Sequence, residues 1–191
     1  MFRALAKVVL AASLILPTAA PVIAGDRALT VYAGRVTEDH WFEALPPGVH
    51  FADAWILVTA LSWTVEEAKE GALTFEIEGQ AAKYFGDQDN LEFNLALVAR
   101  WHRFWWDDKV DTSLAFGMGP SWATEKPQVE EEINGTTERF LVHWFSELAL
   151  GPPGGRWAAV FRLHHRSDAF GLVAEEGGSN TLGLGVKVFL E

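Results

Sequence analysis

Apolar residues alternate with polar or small ones in the segment Leu91-Glu-Phe-Asn-Leu-Ala-Leu-Val-Ala-Arg-Trp-His-Arg103. The odd positions carry Leu, Phe, Leu, Leu, Ala and Trp, whereas the even positions include Glu92, Asn94 and Arg100. Successive side chains of a β-strand point to opposite faces, so a period of two predicts a strand. One face of this strand is apolar and the other is charged.

The same pattern recurs along the chain, with turn-forming clusters between the segments, such as Gly151-Pro-Pro-Gly-Gly155. Counted with the first segment, the alternating stretches lie near 28–33, 52–63, 73–84, 91–103, 112–122, 137–150, 156–167 and 181–188. Eight strands of this length favour a closed antiparallel barrel with up-and-down topology.

Two kinds of eight-stranded barrel fit this pattern, and they differ in the face that points inward. A soluble lipocalin-like barrel encloses its apolar face, whereas an outer-membrane barrel turns that face to lipid. The chain has 9 Trp and 13 Phe, and an eight-stranded lumen has little room for so many rings. The opposite faces carry charged residues that fit a polar lumen, namely Glu76, Glu78, Glu92, Arg100, Arg139, Glu147 and Arg162. We therefore expect an all-β, eight-stranded, transmembrane β-barrel of the bacterial outer-membrane type.

Composition excludes several functional classes. The 15 Lys and Arg against 26 Asp and Glu give a net charge of -11, which argues against a nucleic-acid partner. The absence of cysteine excludes disulfide scaffolds and thiol catalysis. His40, His50 and His102 show no metal-ligand spacing, so the sequence predicts neither a metal nor another cofactor.

The N-terminus has the features of an export signal. Arg3 and Lys7 precede or flank a short apolar run, and Ala24 ends a stretch of small residues suited to cleavage. We expect residues 1–24 to be a signal peptide and residues 25–191 to form a single barrel domain. An uncleaved membrane anchor is the alternative, although the run is shorter than a membrane span requires.

The seventh predicted strand carries polar residues where apolar ones are expected. His165 and Ser167 continue the lipid-facing row of Trp157, Phe161 and Leu163 at the extracellular end, where His in particular has polar atoms to satisfy. Residues two apart on a strand point the same way, so His165 could take the proton of the Ser167 hydroxyl. The alternative is that the strand has left the bilayer and both side chains are solvated.

The C-terminal part of the chain resembles the PagL-type lipid A 3-O-deacylases. The resemblance rests on Phe161-Arg-Leu-His-His-Arg-Ser-Asp-Ala-Phe-Gly171 and Gly178-Ser-Asn-Thr-Leu-Gly-Leu-Gly185, and the whole chain is similar to the acyloxyacyl hydrolase family. It implies an outer-membrane esterase in which His165 is the general base and Ser167 the nucleophile, acting without a cofactor. The implied partners are lipid A, or lipopolysaccharide, and outer-membrane lipid, and a homodimer stays open.

Two positions depart from the family pattern. The family has Asn after the Ser, whereas this chain has Asp168, whose carboxylate would repel a developing oxyanion. The third catalytic residue of the family is a Glu at the start of the last strand, where this chain has Asn180. Asn180 lies two and four residues before Leu182 and Leu184, so its side chain points to the same lipid-facing side. An Asn can orient an imidazole, so we predict Asn180 as the orienting residue. Glu175 and Glu176, in a Gly-containing loop, are the reserve choice for the acid.

Other readings stay open at this stage. A non-catalytic outer-membrane barrel with a structural or binding role and a soluble lipocalin-like carrier are the alternatives to an esterase. The charge run Glu130-Glu-Glu132 falls in a predicted extracellular connection. Such runs are usually solvated, so we expect these side chains to face water, although a divalent cation beside lipopolysaccharide is a further option.

Overall fold

The computed structural model describes residues 27–39 and 48–190, and the predicted signal peptide lies outside them. These residues form a closed barrel in which each strand pairs antiparallel with the next and the last pairs with the first. The elements are β1 (Arg27–Thr37), β2 (Phe51–Ala68), β3 (Leu73–Gly86), β4 (Leu91–Trp101), β5 (Asp111–Ala123), α1 (Gln128–Asn134), β6 (Phe140–Gly151), β7 (Trp157–Ser167) and β8 (Gly178–Leu190). The predicted eight-stranded up-and-down barrel is confirmed.

The apolar face of the barrel points outward. In β4, Leu95 and Leu97 are 52% and 71% exposed, whereas Ala96 between them is buried. The outward rows of the other strands are likewise dominated by large apolar residues. Within the described ranges, no helix is long and apolar enough to cross a membrane. An outward apolar face with a charged interior is the arrangement of an outer-membrane barrel, and it is opposite to that of a lipocalin-like carrier.

The lumen is filled by paired charges. One cluster of charges is centred on Glu147. Its carboxylate accepts hydrogen bonds from Arg100 Nη1 at 2.8 Å and from Arg162 Nε at 2.9 Å. Lys187 Nζ lies 2.7 Å from the same carboxylate, and Arg162 also donates to Glu78 at 2.7 Å. All five side chains are buried. Because a buried charge is tolerated only when it is paired, these contacts explain the charged inward faces of β3, β4, β6, β7 and β8.

Small residues on β8 make room for these large inward side chains. A Cβ at Gly183 would lie 2.7 Å from Cδ2 of Tyr32 on the neighbouring β1, closer than real Cβ atoms approach. Tyr32 in turn lies beneath the Arg162 guanidinium, with 5.1 Å between Cζ and the ring centroid. Glycine on the inward row of β8 therefore lets the ring and the guanidinium share one cross-section of the lumen.

The connections between strands alternate between the two ends of the barrel. Residues 38–39 and 48–50 and the segments 87–90, 124–139 and 168–177 lie at one end, and segments 69–72, 102–110 and 152–156 lie at the other. β2 is longer than the sequence pattern indicated, since it continues through a bulge near Thr64 to Ala68. Small outer-membrane barrels normally keep both termini in the periplasm, so we expect the first set, with the rim around His165, to be extracellular, and we name the two ends accordingly.

The prediction that the charge run in the third extracellular connection is solvated was wrong for one residue. Glu131 and Glu132 are exposed, but Glu130 is fully buried in α1. Its carboxylate accepts hydrogen bonds from Arg166 Nη1 at 3.0 Å, Ser179 Oγ at 2.8 Å and Thr137 Oγ1 at 2.8 Å. Burial raises the pKa of the Glu130 carboxyl, although Arg166 acts in the opposite direction. The buried charge of Arg166 needs a carboxylate partner, and Glu130 of α1 supplies one.

We expect Glu147→Gln to destabilise the barrel strongly, because it leaves three buried cations with two carboxylates. Removing one member of a buried ion pair typically costs about 3 to 5 kcal/mol. Chemical denaturation of the refolded barrel in detergent micelles or lipid vesicles would measure the loss.

The matched control is Glu138→Gln, which breaks the exposed pair with Lys126, whose side chains are 52% and 44% exposed. It should change the unfolding free energy by about 0.5 kcal/mol or less. Equal effects of the two substitutions would contradict the assignment of Glu147 as the centre of the buried network.

Candidate active site

The His165 side chain lies on the outward row of β7, but neighbouring side chains bury it. Its relative exposure is 5%, against 37% for Phe161 on the same row. The ring of Trp144, its partner on β6, covers one side, with ring centroids 4.5 Å apart. On the other side its partner is Asn180 of β8. The strand register therefore encloses an imidazole between an indole and an amide on the outer wall.

A short hydrogen bond joins His165 and Asn180. His165 Nδ1 lies 2.7 Å from Asn180 Oδ1, and Asn180 Nδ2 donates to the carbonyl oxygen of Asp39 at 3.0 Å. A carbonyl oxygen can only accept a hydrogen bond, so the atom of Asn180 that faces the Asp39 carbonyl must be Nδ2. The Oδ1 atom of the amide therefore faces His165. The Oδ1 atom must accept from the ring, so Nδ1 of a neutral imidazole carries the proton and Nε2 is its basic nitrogen. This is the tautomer that a general base acting through Nε2 requires.

Ser167 ends β7 and is half-buried at the start of a tight turn. Its Oγ accepts a hydrogen bond from the backbone N–H of Ala169 at 3.0 Å. Ala169 and Phe170 have positive φ angles of 57° and 59°, which non-glycine residues seldom adopt. Strained backbone of this kind is concentrated at functional sites, and here it lies directly after the serine.

His165, Ser167 and Asn180 line one pocket of about 440 Å³ at the extracellular rim. The pocket lies where β7, β8 and β1 end, and α1 contributes part of its wall. Its remaining lining residues are Thr37, Asp39, Ile133, Asn134, Asp168, Glu176, Gly177, Gly178 and Ser179. The three residues predicted from the sequence are thus brought together in a single concave site.

Asp168 lies beside the serine hydroxyl. Its Oδ1 is 3.5 Å from Ser167 Oγ and accepts from the N–H of Phe170 at 3.1 Å. Its own N–H donates to the carbonyl of Gly177 at 3.2 Å, so this amide is engaged within the turn. A carboxylate at this position places negative charge near any oxyanion that forms at Ser167.

The reserve acids are placed less favourably. Glu176 lines the pocket but is exposed, and Glu175 is exposed and lies outside the pocket lining. His165 Nδ1 instead donates its hydrogen bond to Asn180 Oδ1. The structure therefore favours Asn180 over either glutamate as the orienting group.

Three supporting residues escaped sequence reasoning. Asp39 holds Asn180 from the first extracellular connection, and Asn134 of α1 donates to the carbonyl of Gly178 at 2.9 Å. From the lumen side, His143 Nδ1 lies 3.1 Å from the carbonyl oxygen of His165. These contacts join residues far apart in the chain, and all three use backbone carbonyls, for which the sequence carries no signal.

No protein-family model and no curated protein sequence matches this chain. Among solved structures, it is similar to the outer membrane enzyme PagL, with a TM-score of 0.62 and 14% identity over 84% of this chain and 98% of the other. It is also similar to Neisserial surface protein A, NspA, with a TM-score of 0.51 and 10% identity over 87% of this chain and 98% of the other. At these identities the similarity shows the fold. With the outward apolar face, it assigns the chain to the bacterial outer membrane.

Proposed function

We propose that this protein is an outer-membrane esterase that removes an acyl chain from lipid A by Ser–His catalysis at the outer-leaflet surface. The observation that carries the proposal is the 2.7 Å contact between His165 Nδ1 and Asn180 Oδ1 in a pocket that Ser167 shares. A base held in a defined tautomer and a hydroxyl in the same pocket are the two groups that nucleophilic catalysis requires.

Each of the three residues has one role in the proposed reaction. His165 Nε2 accepts the Ser167 hydroxyl proton as Oγ attacks the ester carbonyl, and the protonated imidazole then gives that proton to the departing alcohol. Water attacks the resulting acyl-serine, with His165 again as base, which releases the fatty acid and restores the hydroxyl. Asn180 holds the ring throughout and accepts from Nδ1–H of the imidazolium.

The position of the pocket favours a lipid ester as the substrate. Phe161 and Leu163 continue the outward row below His165, toward the membrane interior. Beyond Ser167, the side chains of Phe170 and Leu172 are 90% and 87% exposed on the extracellular connection. The pocket therefore lies between apolar surfaces near the boundary of hydrocarbon and headgroups, where the acyl esters of an outer-leaflet lipid lie. The C-terminal resemblance to lipid A deacylases favours lipid A within this class.

A non-catalytic barrel is the second candidate function, and one observation favours it. Asp168 brings a carboxylate within 3.5 Å of the Ser167 hydroxyl, where a developing oxyanion would be disfavoured. In such a protein the pocket would bind a lipid without cleaving it, and the extracellular connections would supply a structural or binding role.

We expect Ser167→Ala and His165→Ala each to abolish ester cleavage while the barrel stays folded, because both side chains lie on the outer wall. The two losses should not add, since either change disables the same step. Asn180→Ala should leave residual activity, because an orienting group contributes less than the nucleophile. Mass spectrometry of lipid A from cells expressing each variant would measure deacylation.

Ser146→Ala is the matched control, since Ser146 is an exposed serine on the outward face of β6 and lies outside the pocket. It should deacylate lipid A like the parent. Full deacylation by the Ser167→Ala protein would overturn the proposed nucleophile. Unchanged lipid A in cells expressing the folded parent would favour the non-catalytic barrel.

We expect Asp168→Asn to raise the rate of ester cleavage by roughly tenfold to a hundredfold, because it removes a negative charge beside the oxyanion and supplies an amide donor. Asp87→Asn makes the same change in another extracellular connection and should leave the rate unaltered. Initial rates of the refolded proteins on purified lipid A in mixed micelles would test this. A rate that falls or stays constant in Asp168→Asn would show that the carboxylate does not oppose the reaction.

A further inference from the structure

Three metal-ligating side chains converge inside the barrel, separate from the outer-wall pocket. Glu92 of β4, His143 of β6 and His164 of β7 are all fully buried. One potential ligand atom from each lies within 4.8 Å of the other two, and the two imidazole centroids are 4.3 Å apart. Two histidines and a carboxylate form a ligand set typical of zinc sites that keep an open coordination position.

Both imidazoles are held through the nitrogen that would not bind the metal. His164 Nδ1 lies 2.7 Å from the Tyr32 hydroxyl, and His143 Nδ1 lies 3.1 Å from the carbonyl oxygen of His165. Metal-binding histidines usually make such a bond to an oxygen through the second ring nitrogen, which fixes the ring and its tautomer. The Nε2 atoms are left as the ligand atoms, and that of His164 is already 3.0 Å from Glu92 Oε1.

The charges around this cluster are not balanced when both histidines are neutral. In the described lumen, the part around Glu147 pairs three carboxylates with three cations, namely Glu76, Glu78 and Glu147 with Arg100, Arg162 and Lys187. The part around His143 and His164 has Glu92 and Glu130 but only Arg166 as a permanent cation. With both carboxylates ionised, one positive charge is missing at the place where the two imidazoles meet the Glu92 carboxylate. A proton or a metal cation can supply it.

We propose that Glu92, His143 and His164 bind a divalent transition-metal ion of the zinc class in the lumen. Zn²⁺ bonds of 2.0–2.2 Å in a tetrahedral site separate ligand atoms by about 3.4 Å. The ligand atoms here lie within 4.8 Å of one another, and one pair is at 3.0 Å, so only small shifts of the side chains are needed. The contact between His143 Nε2 and the Gln80 amide nitrogen, at 3.1 Å, is the one that the metal replaces. A zinc ion with a hydroxide as its fourth ligand brings one positive charge, which equals the deficit.

The ligands lie inside the wall and Ser167 takes no part, but His143 also contacts the His165 carbonyl, so the test measures bound metal and not ester cleavage. The cluster is fully buried and α1 lies above it, so metal is expected to enter as the barrel folds. The mature chain should therefore be refolded in detergent with excess Zn²⁺, washed free of loose metal and analysed by elemental mass spectrometry. We expect about one zinc ion per folded chain, and a Co²⁺-refolded sample with the intense visible bands of a tetrahedral site.

His143→Gln and His164→Gln should each lower the bound zinc at least tenfold, whereas His102→Gln, which changes a histidine at the periplasmic end, should retain it. The gel mobility of unboiled samples reports folding, so only folded variants are compared. If either lumen variant fails to fold, the parent's zinc content and Co²⁺ spectrum decide the question. A folded parent without stoichiometric zinc, or folded His143→Gln and His164→Gln proteins that retain it, would overturn the proposal and assign the missing charge to a proton.

Discussion

The pairing of Arg162 with Glu78 and Glu147 inside the barrel is the interaction on which the rest of the structure depends. Hydrocarbon on the outside accepts only apolar side chains, so every strand must turn its charged residues inward, where they are stable only as pairs. The strand register places Glu147 opposite Arg162 and brings Glu78 to the same guanidinium from across the lumen. The period of two, the outward aromatic residues and the glycines of β8 all follow from this constraint.

The same constraint makes the polar side chains at the extracellular end of β7 unusual. A row reserved for apolar side chains continues into His165 and Ser167, and β8 contributes Asn180 at the neighbouring position. The protein covers the imidazole with Trp144 and fixes its tautomer through Asn180 and the Asp39 carbonyl. These contacts order a polar group that contributes nothing to burial of apolar surface. Such ordering is expected of a functional site, where residues are arranged for chemistry instead of packing.

The fold could be predicted from the local pattern of residues, and the contact between His165 and Asn180 from that pattern together with the family resemblance. Parity assigned the inward and outward faces of six strands, and it placed Asn180 on the row of His165, where the structure shows the two in contact. It was wrong for Arg139, which is exposed with its guanidinium over the Trp122 ring instead of in the lumen. The burial of Glu130 could not be predicted, because it depends on α1 folding over the mouth of the barrel to meet Arg166. The contact of Asp39 with Asn180 joins the first extracellular connection to the last strand through a backbone carbonyl. Contacts of this kind depend on barrel closure, which residue type does not encode.

Reaction with a fluorophosphonate ester tests most directly whether the outer wall carries an activated serine. The reagent phosphonylates serine hydroxyls that a neighbouring base has activated, so it reports the nucleophile without reference to any particular lipid. The account predicts that the folded protein in detergent is labelled once, at Ser167, as located by peptide mass spectrometry, and that His165→Ala prevents the labelling. A folded barrel that stays unlabelled, or that is labelled at another serine, would contradict the account.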